Sequence, residues 1–331
     1  MSRWMHAAAA VAGTSHEAAG LPCQDRVAGR AVPGATAMAL ADGAGSASRS
    51  EAGAARVVEA ALDLAGESFE ALRRADEDEV KTLVLDRIKE DLGKTARLLQ
   101  VPVGELASTL LLVAVRGQEY VAVHLGDGLV AAVRRGRPEA LTRPVRGEFV
   151  NETVLTTSSG ARDALQVRRG VLEDASAFAV LSDGAAESLY LRREGTVGTA
   201  LEKMAAWLDS NAPGEVSAAL ERHLRGLFRQ RTGDDVSLGI LSRVALPLEA
   251  LAGLDPSFLG AFLAPGEGRV TGLGTRNRLR VLEAFLDEAG GPPSREVLAR
   301  RSGLSPSTAG KHLRDLRRWL DIRKEEGREV R

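Results

Sequence analysis

Five times along this chain an apolar run of strand length meets an aspartate at a polar or glycine-containing turn. Ala35 to Leu40 leads into Ala41-Asp42-Gly43-Ala44-Gly45-Ser46, Tyr120 to Leu125 into Gly126-Asp127-Gly128, and Ala177 to Leu181 into Ser182-Asp183-Gly184. Asp25 opens the run Arg26 to Val32, and Asp234-Asp235 opens Val236 to Leu241. A carboxylate at the end of a rigid strand is stable when it is solvated or faces a cation. Each instance alone has a bland reading as an Asp-Gly turn. The set has another: two sheets stacked face to face bring strand ends together on one rim, where five carboxylates repel one another unless cations neutralise them.

The donor chemistry narrows the cation. Oxygen donors without cysteine suit Mg²⁺ or Mn²⁺ over Zn²⁺, and Gly43 and Gly45 leave backbone carbonyls within reach of a ligand. Two such ions roughly 3.5–4 Å apart can clamp a phosphoryl oxygen and acidify a water towards neutrality. The chemistry expected is metal-assisted hydrolysis.

A chain of 331 residues has room for one large domain and a small one. Its net charge of -1 conceals two regions: residues 269–331 carry 15 Lys/Arg against 9 Asp/Glu, and the remainder 29 against 36. Only the tail invites a polyanionic partner. Cys23 is the sole cysteine, which excludes an intramolecular disulfide or a thiolate metal cluster and suits a reducing, cytoplasmic compartment. The opening Met1 to Gly13 is short, Ala-rich and interrupted by His6, so it reads as a first strand, and no apolar window is long enough to span a membrane.

Periodicity predicts helices over Ser50 to Leu64 and Asp76 to Leu99, strands over Ser108 to Val115 and Tyr120 to Leu125, and helices again over Leu201 to Leu208 and Glu215 to Phe228. Gly13-Thr14-Ser15-His16 is expected to turn the first strand into a loop, Gly136 to Glu148 to form a mobile flap, and Val150 to Thr156 to be extended. His16 is open between catalysis and a hydrogen-bonded turn, whereas His124, on a strand, reads as core. Cys23 reads as packing, and Arg143 and Arg146 as solvated loop charges.

The ordered set Gln24-Asp25, Ala41-Asp42-Gly43, Gly126-Asp127-Gly128, Ser182-Asp183-Gly184 and Asp234-Asp235-Val236-Ser237-Leu238 resembles the metal-dependent serine/threonine protein phosphatases of type 2C. Gly13-x-Ser15-His16, Pro22-Cys23-Gln24-Asp25 and Gly147-Glu148-Phe149-x-Asn151-Glu152-Thr153 are similar to the bacterial branch, and the likeness spans about Trp4 to Arg243. It implies an α+β fold, a four-layer αββα sandwich of two antiparallel sheets flanked by helices, with two and up to three Mn²⁺ or Mg²⁺ ions. Asp42 would bridge two metals with the Gly43 carbonyl on one, Asp183 and Asp234 would hold the other, and Asp25 would bind through water. Asp127 would assist a third ion with Asp183, and Asp235 is the second choice to Asp234. The implied substrate is a phosphorylated protein opposing a Ser/Thr kinase.

Three positions depart from that pattern. Gln24 stands where many members carry a metal-binding Glu, Gly20 where a phosphate-gripping Arg is expected, and Ala44 where a His proposed as general acid stands in some relatives. His16, Arg143 and Arg146 are the candidates to bind phosphate, and His16 or a metal-bound water to protonate the leaving alkoxide.

The expected domains are 1–243, a connector over 244–274, and a small all-α module over 275–331. In the last, helices are expected over Asn277 to Ala289, from Ser294 through Arg301, and from Ser305-Pro306 to about Leu320. Ala309, Leu313, Leu316 and Leu320 share one face of the third, and Ser307, Lys311, Arg314 and Arg318 roughly the opposite one. The segment resembles the helix-turn-helix of winged-helix regulators, which implies that Ser307, Thr308, Lys311 and His312 face a major groove with Arg314, Arg317 and Arg318 nearer phosphates. The plainer reading is a helical module that docks on protein. A rival for the whole chain is a DNA-binding regulator that keeps an inactive phosphoprotein-sensing domain, against which intact Asp42, Asp183 and Asp234 argue.

Overall fold

The computed structural model describes residues 2–144, 153–209, 211–245, 273–286 and 293–325. Two compact units emerge, one formed by Trp4–Ala205 with Val216–Arg243, the other by Met1–Arg3, Ala206–Glu215 and Val244–Arg331. The division differs from a single cut at 243 because Ala206–Glu215 goes with the C-terminal segment. Arg295 there donates to Asn211 Oδ1 at 2.8 Å and, through its backbone N–H, to Glu215 Oε1 at 3.3 Å.

The larger unit is an α+β sandwich of two antiparallel sheets flanked by helices. Its elements are β1 (Ser2–Val11), α1 (Thr14–Ala19), β2 (Arg26–Val32), β3 (Ala35–Ala41), α2 (Ser50–Glu67), α3 (Phe69–Arg74) and α4 (Glu77–Leu99). There follow β4 (Leu110–Arg116), β5 (Glu119–Leu125), β6 (Leu129–Arg134), β7 (Arg137–Ala140), α5 (Ala161–Ala164), β8 (Gln166–Val171) and β9 (Ala175–Leu181). Then come α6 (Asp183–Leu189), β10 (Tyr190–Leu191), β11 (Thr196–Val197), α7 (Ala200–Ala206), α8 (Pro213–His223) and β12 (Val236–Ala245). One sheet runs β1-β12-β9-β6-β7-β11-β10 and the other β2-β3-β4-β5-β8.

The near-continuous apolar runs are explained by burial on both faces of the second sheet. On β3, Ala37, Ala39 and Ala41 join a cluster with α2 and α4, while Met38 and Leu40 join the cluster between the sheets. On β4, Leu110, Leu112 and Ala114 go with the helices and Leu111, Val113 and Val115 with the opposing sheet. This is the period of two expected of a pleated strand. Helix α4 starts where its sequence says it should, because the Asp76 carboxylate accepts the Glu79 N–H at 2.7 Å.

Local expectations were overturned at three places, and one strand, β8, was not expected. Gly13 to His16 does not end in a loop; the short helix α1 starts at Thr14 and carries His16. Gly136 to Glu148 is not flap throughout, since Arg137–Ala140 pairs with β6 from Ala131↔Ala140 to Arg134↔Arg137. Asp183 does not merely end a strand but begins α6. β8 carries Arg168, Arg169 and Gly170, so it shows no apolar run, yet it pairs with β5 from Glu119↔Val171 to His124↔Gln166. A polar, charged strand is what a sheet edge tolerates best. The extended reading of Val150 to Thr156 lies partly outside the described residues, and Thr153 makes an isolated bridge.

The smaller unit contains α9 (Leu273–Leu286), α10 (Arg295–Ser302) and α11 (Pro306–Glu325). Val281, Leu282, Phe285, Leu298, Ala309, Leu313 and Leu316 are buried. Ser294 caps α10 by accepting from Val297 N, and Gly303 ends it at φ +68°. Ser305 then accepts from Thr308 N at 3.2 Å at the start of α11. No helix among the described residues is long and apolar enough to cross a membrane.

Candidate metal-dependent hydrolytic site

Antiparallel pairing delivers six aspartates, two of them the adjacent Asp234 and Asp235, to one rim. Arg26 pairs with Ala41 at the end of the β2–β3 ladder, and Gly43 N–H continues it by donating to Gln24 O at 3.2 Å, so Asp25 and Asp42 lie opposite each other. In the other sheet Leu181 pairs with both Leu129 and Leu238. The end of β9 therefore meets the starts of β6 and β12, which places Asp127, Asp183, Asp234 and Asp235 at the same edge.

The rim is held by main-chain and hydroxyl contacts. Asp42 N–H donates to Thr109 Oγ1 at 2.9 Å, and Thr109 N–H donates to Asp42 O at 2.8 Å. Gly126 has φ +121°, and a side chain there would stand 2.5 Å from Thr109 Cγ2, so this turn admits only glycine. Thr153 Oγ1 donates to Asp127 Oδ2 at 2.7 Å. The mouth is a cavity of about 530 Å³ lined by His16, Gln24, Asp42, Asp127, Asp183 and Asp234 among others.

Asp25 is not at the cavity surface. It is 5 % exposed, behind Gln24, and both its carboxylate oxygens lack a hydrogen-bond partner among the described residues, as does Gln24 Oε1. Burial, together with the Asp235 and Asp183 charges and against hydroxyls of Ser237 and Ser182, pushes its carboxyl up to about 7. Burial and the charges of Asp127 and Asp234 push Asp183 to about 6. Asp42 is raised well above the ordinary range, by burial first and then by Asp25, Asp183, Asp234 and Asp127. A single carboxylate that feels four others marks the electrostatic centre of the site.

Orphaned buried oxygens beside mutually repelling carboxylates fit a small hard cation. Among the described residues no three His, Cys, Asp or Glu side chains are arranged to hold an ion by themselves. The fit is accordingly to ions that keep several waters and take part of their coordination from the Gln24 amide or the Gly43 carbonyl, which suits Mg²⁺ or Mn²⁺.

Asp234 and Asp235, adjacent in sequence, have different surroundings. Asp234 is exposed and lines the cavity, whereas Asp235 is 2 % exposed and accepts from Gly13 N at 2.7 Å and Gln24 N at 2.6 Å. His16 Nδ1 lies 2.8 Å from Asp235 Oδ1, so Asp235 positions both the helix that bears His16 and the Gln24-Asp25 segment. Gly13 is required by close approach, because a Cβ there would stand 2.3 Å from the Asp234 carbonyl carbon.

His124 is fully buried behind the Asp127 turn. Burial lowers it to about 4 despite the Gly126 carbonyl, with Arg168 adding to the depression, so the ring is neutral. Nε2 then donates to Gly126 O at 3.0 Å and Nδ1 accepts from Thr142 Oγ1 at 2.6 Å. Cys23 is held far above the ordinary thiol range by burial and by Asp25 and Asp235, which makes it unreactive. Arg143 is exposed and does not line this cavity, and Arg146 lies outside the described residues.

The sequence matches the family model described as protein phosphatase 2C over residues 12–225. The chain belongs to the protein phosphatase 2C family. A search of curated proteins returns no match. Among solved structures, the S. agalactiae serine/threonine phosphatase is 17% identical, with 73% of this chain and 100% of that one covered and a TM-score of 0.52. The catalytic domain of the serine/threonine protein phosphatase PstP, solved with two manganese ions, is 14% identical, with 74% and 100% covered and a TM-score of 0.51. The phosphatase 2C sandwich is thus shared at low identity, and family membership makes this chain a serine/threonine protein phosphatase by class.

The raised carboxyls carry a prediction. With Asp25 titrating at about 7 and Asp183 at about 6 against an ordinary 3.8, the metal-free fold holds protons that the unfolded chain has lost. Their stabilising contribution is complete below about pH 4 and is lost as pH rises through 6 to 7. Ligation needs ionised carboxylates, so Mn²⁺ binding near pH 6.5 is expected to release one or more protons. Calorimetric titration in two buffers of different ionisation enthalpy measures it, and identical heats would contradict the site.

Proposed function

We propose that this phosphatase hydrolyses phosphoserine and phosphothreonine in proteins using two, and up to three, Mn²⁺ or Mg²⁺ ions held at the aspartate rim. The observation that carries this reading is the convergence of Asp25, Asp127, Asp183 and Asp234 on Asp42. When bound, such ions supply Lewis-acid polarisation of a phosphoryl oxygen and a water acidic enough to attack at neutral pH. Asp42 would be shared between two ions with the Gly43 carbonyl on one of them, Asp183 and Asp234 would hold the other, Asp25 would act through water, and Asp127 would assist a third with Asp183. Without cations the rim repels a phosphate dianion, so the same charges that hold the ions exclude substrate from the metal-free site.

His16 is the candidate to protonate the leaving alkoxide in place of the residue that Ala44 lacks. It lines the cavity, and its Nδ1 lies 2.8 Å from Asp235 Oδ1. Hydrolysis of an aryl phosphate that requires Mn²⁺ and disappears on chelation tests the function. Turnover that persists without metal would refute it.

The three C-terminal helices are proposed to be a helix-turn-helix that holds the enzyme on duplex DNA. Ser307, Lys311 and Arg314 are exposed on α11 opposite buried Ala309, Leu313 and Leu316. Thr308 is half-buried near the start of that helix, and the side chain of Arg318 lies outside the described residues. His312 is the weakest member of the groove-facing set, being half-buried beside Arg278 of α9, whose charge together with burial lowers its pKa. Duplex affinity is expected to fall steeply with salt, by roughly tenfold or more between 50 and 200 mM, as phosphate contacts release counterions. Fluorescence anisotropy with a labelled duplex reads this, and absence of binding at low salt would leave a protein partner as the reading.

A further inference from the structure

A second cavity, of about 510 Å³, carries the opposite charge. Arg143, Arg168, Arg192 and Arg193 line it together with Tyr190 and one carboxylate, Glu194. Among the described residues none of the four arginines makes a salt bridge. Arg168 donates only to the Val167 carbonyl, at 3.0 Å, and the Arg143 main chain is clamped to the Gln166 amide at 3.2 and 2.6 Å. Four guanidinium groups face one carboxylate here, whereas Arg30, Arg87, Arg134 and Arg229 each reach an acidic partner.

The basic cavity is linked to the aspartate rim through one buried side chain, His124. Thr142, in its wall, hydrogen-bonds His124 Nδ1, and His124 Nε2 holds the carbonyl of Gly126, next to Asp127. The loop that bears Asp127 and the loop that bears Thr142 and Arg143 are thus tied to the same buried histidine. Arginine forks match planar or tetrahedral oxyanions in two-point fashion.

We propose that this cavity is a specificity subsite that receives an anionic side chain, phosphoryl or carboxylate, flanking the scissile phosphoresidue of the protein substrate. The inference rests on the phosphatase reading above for the word substrate, but not for the binding of an acidic peptide. The rim carboxylates would hold the cations that polarise the phosphate to be cleaved, while the arginine cavity discriminates between peptides by what lies beside it.

The test uses the full chain and three probes: p-nitrophenyl phosphate, a phosphothreonine peptide with neutral flanks, and the same peptide with glutamates or a second phosphoserine beside the target. Wild type is expected to prefer the acidic-flank peptides by about tenfold in kcat/KM, a preference that shrinks as salt rises. R192E/R193E, on an exposed turn, is expected to erase the preference while p-nitrophenyl phosphate turnover stays within about twofold. Glutamate and phosphoserine flanks, compared with each other, decide which oxyanion fits better. Equal turnover of neutral and acidic peptides by wild type, or a preference that survives the double variant, would overturn the subsite. A metal-independent readout separates the two readings: an unphosphorylated Glu-rich peptide, followed by anisotropy, should bind wild type and lose about tenfold affinity in R192E/R193E. Binding of that kind without any aryl phosphatase activity would retain the subsite and reject the hydrolase; the reverse result would do the opposite.

Discussion

Asp42→Asn is expected to remove metal-dependent phosphatase activity while making the metal-free protein more stable. Asp42 is the carboxylate on which Asp25, Asp183, Asp234 and Asp127 act together, and burial adds to their effect. Its charge is therefore costly to the empty fold and useful only with cations. Losing a residue that supports a metal from outside its ligand set costs roughly 10–100-fold, so losing the ligand proposed to be shared is expected to cost about 100-fold or more. The asparagine keeps the side-chain volume, and the backbone contacts with Thr109 are untouched. The paired measurements are Mn²⁺-dependent turnover of an aryl phosphate and thermal unfolding in chelator. A variant that is inactive because it unfolds would show a lower Tm, and one that retains activity would remove Asp42 from the site.

Asp235→Ala is expected to damage the fold first and the activity as a consequence. Its carboxylate accepts from Gly13 N and Gln24 N and contacts His16, all with only 2 % exposure. Alanine leaves those two backbone donors without an acceptor, at about 1–3 kcal/mol for each buried group, or roughly 2–6 kcal/mol together. Asp235→Asn retains one acceptor oxygen but turns an amide donor towards the second N–H, and is expected to lose about half as much. Denaturant unfolding of the three proteins gives the order wild type, Asn, Ala. A neutral Asp235→Ala would mean that Gly13 and Gln24 find other partners. Asp234→Ala serves as the contrast, because Asp234 is exposed at the cavity: it should weaken Mn²⁺ binding and leave unfolding nearly unchanged.

This neighbouring pair shows where sequence reading stops. Both residues precede the same strand, and Val236, Ser237 and Leu238 are all fully buried, so alternation along β12 gives no hint of which carboxylate points inward. Only the arrival of Gly13 and Gln24 from more than two hundred positions away makes one an anchor and leaves the other at the cavity. Thr109 and Thr153 were missed for a related reason. A hydroxyl on a loop has no periodic signature, and its role exists only once Asp42 or Asp127 is beside it. His124 was legible as core because it sits in a strand, but its link between two cavities was not.

The order of apolar runs and their terminal aspartates determined a great deal by itself: it singled out the strand-end carboxylates and carried the phosphatase 2C resemblance, and that resemblance implied the two-sheet sandwich. Tertiary structure decided the rest, namely that Asp25 lies behind the cavity wall, that Asp235 is scaffold, that His16 rides on a helix, and that four scattered arginines line one cavity. The physical reason is that strand formation and turn chemistry are set by neighbours in the chain, whereas burial and the fields that shift a carboxyl depend on groups brought together by folding.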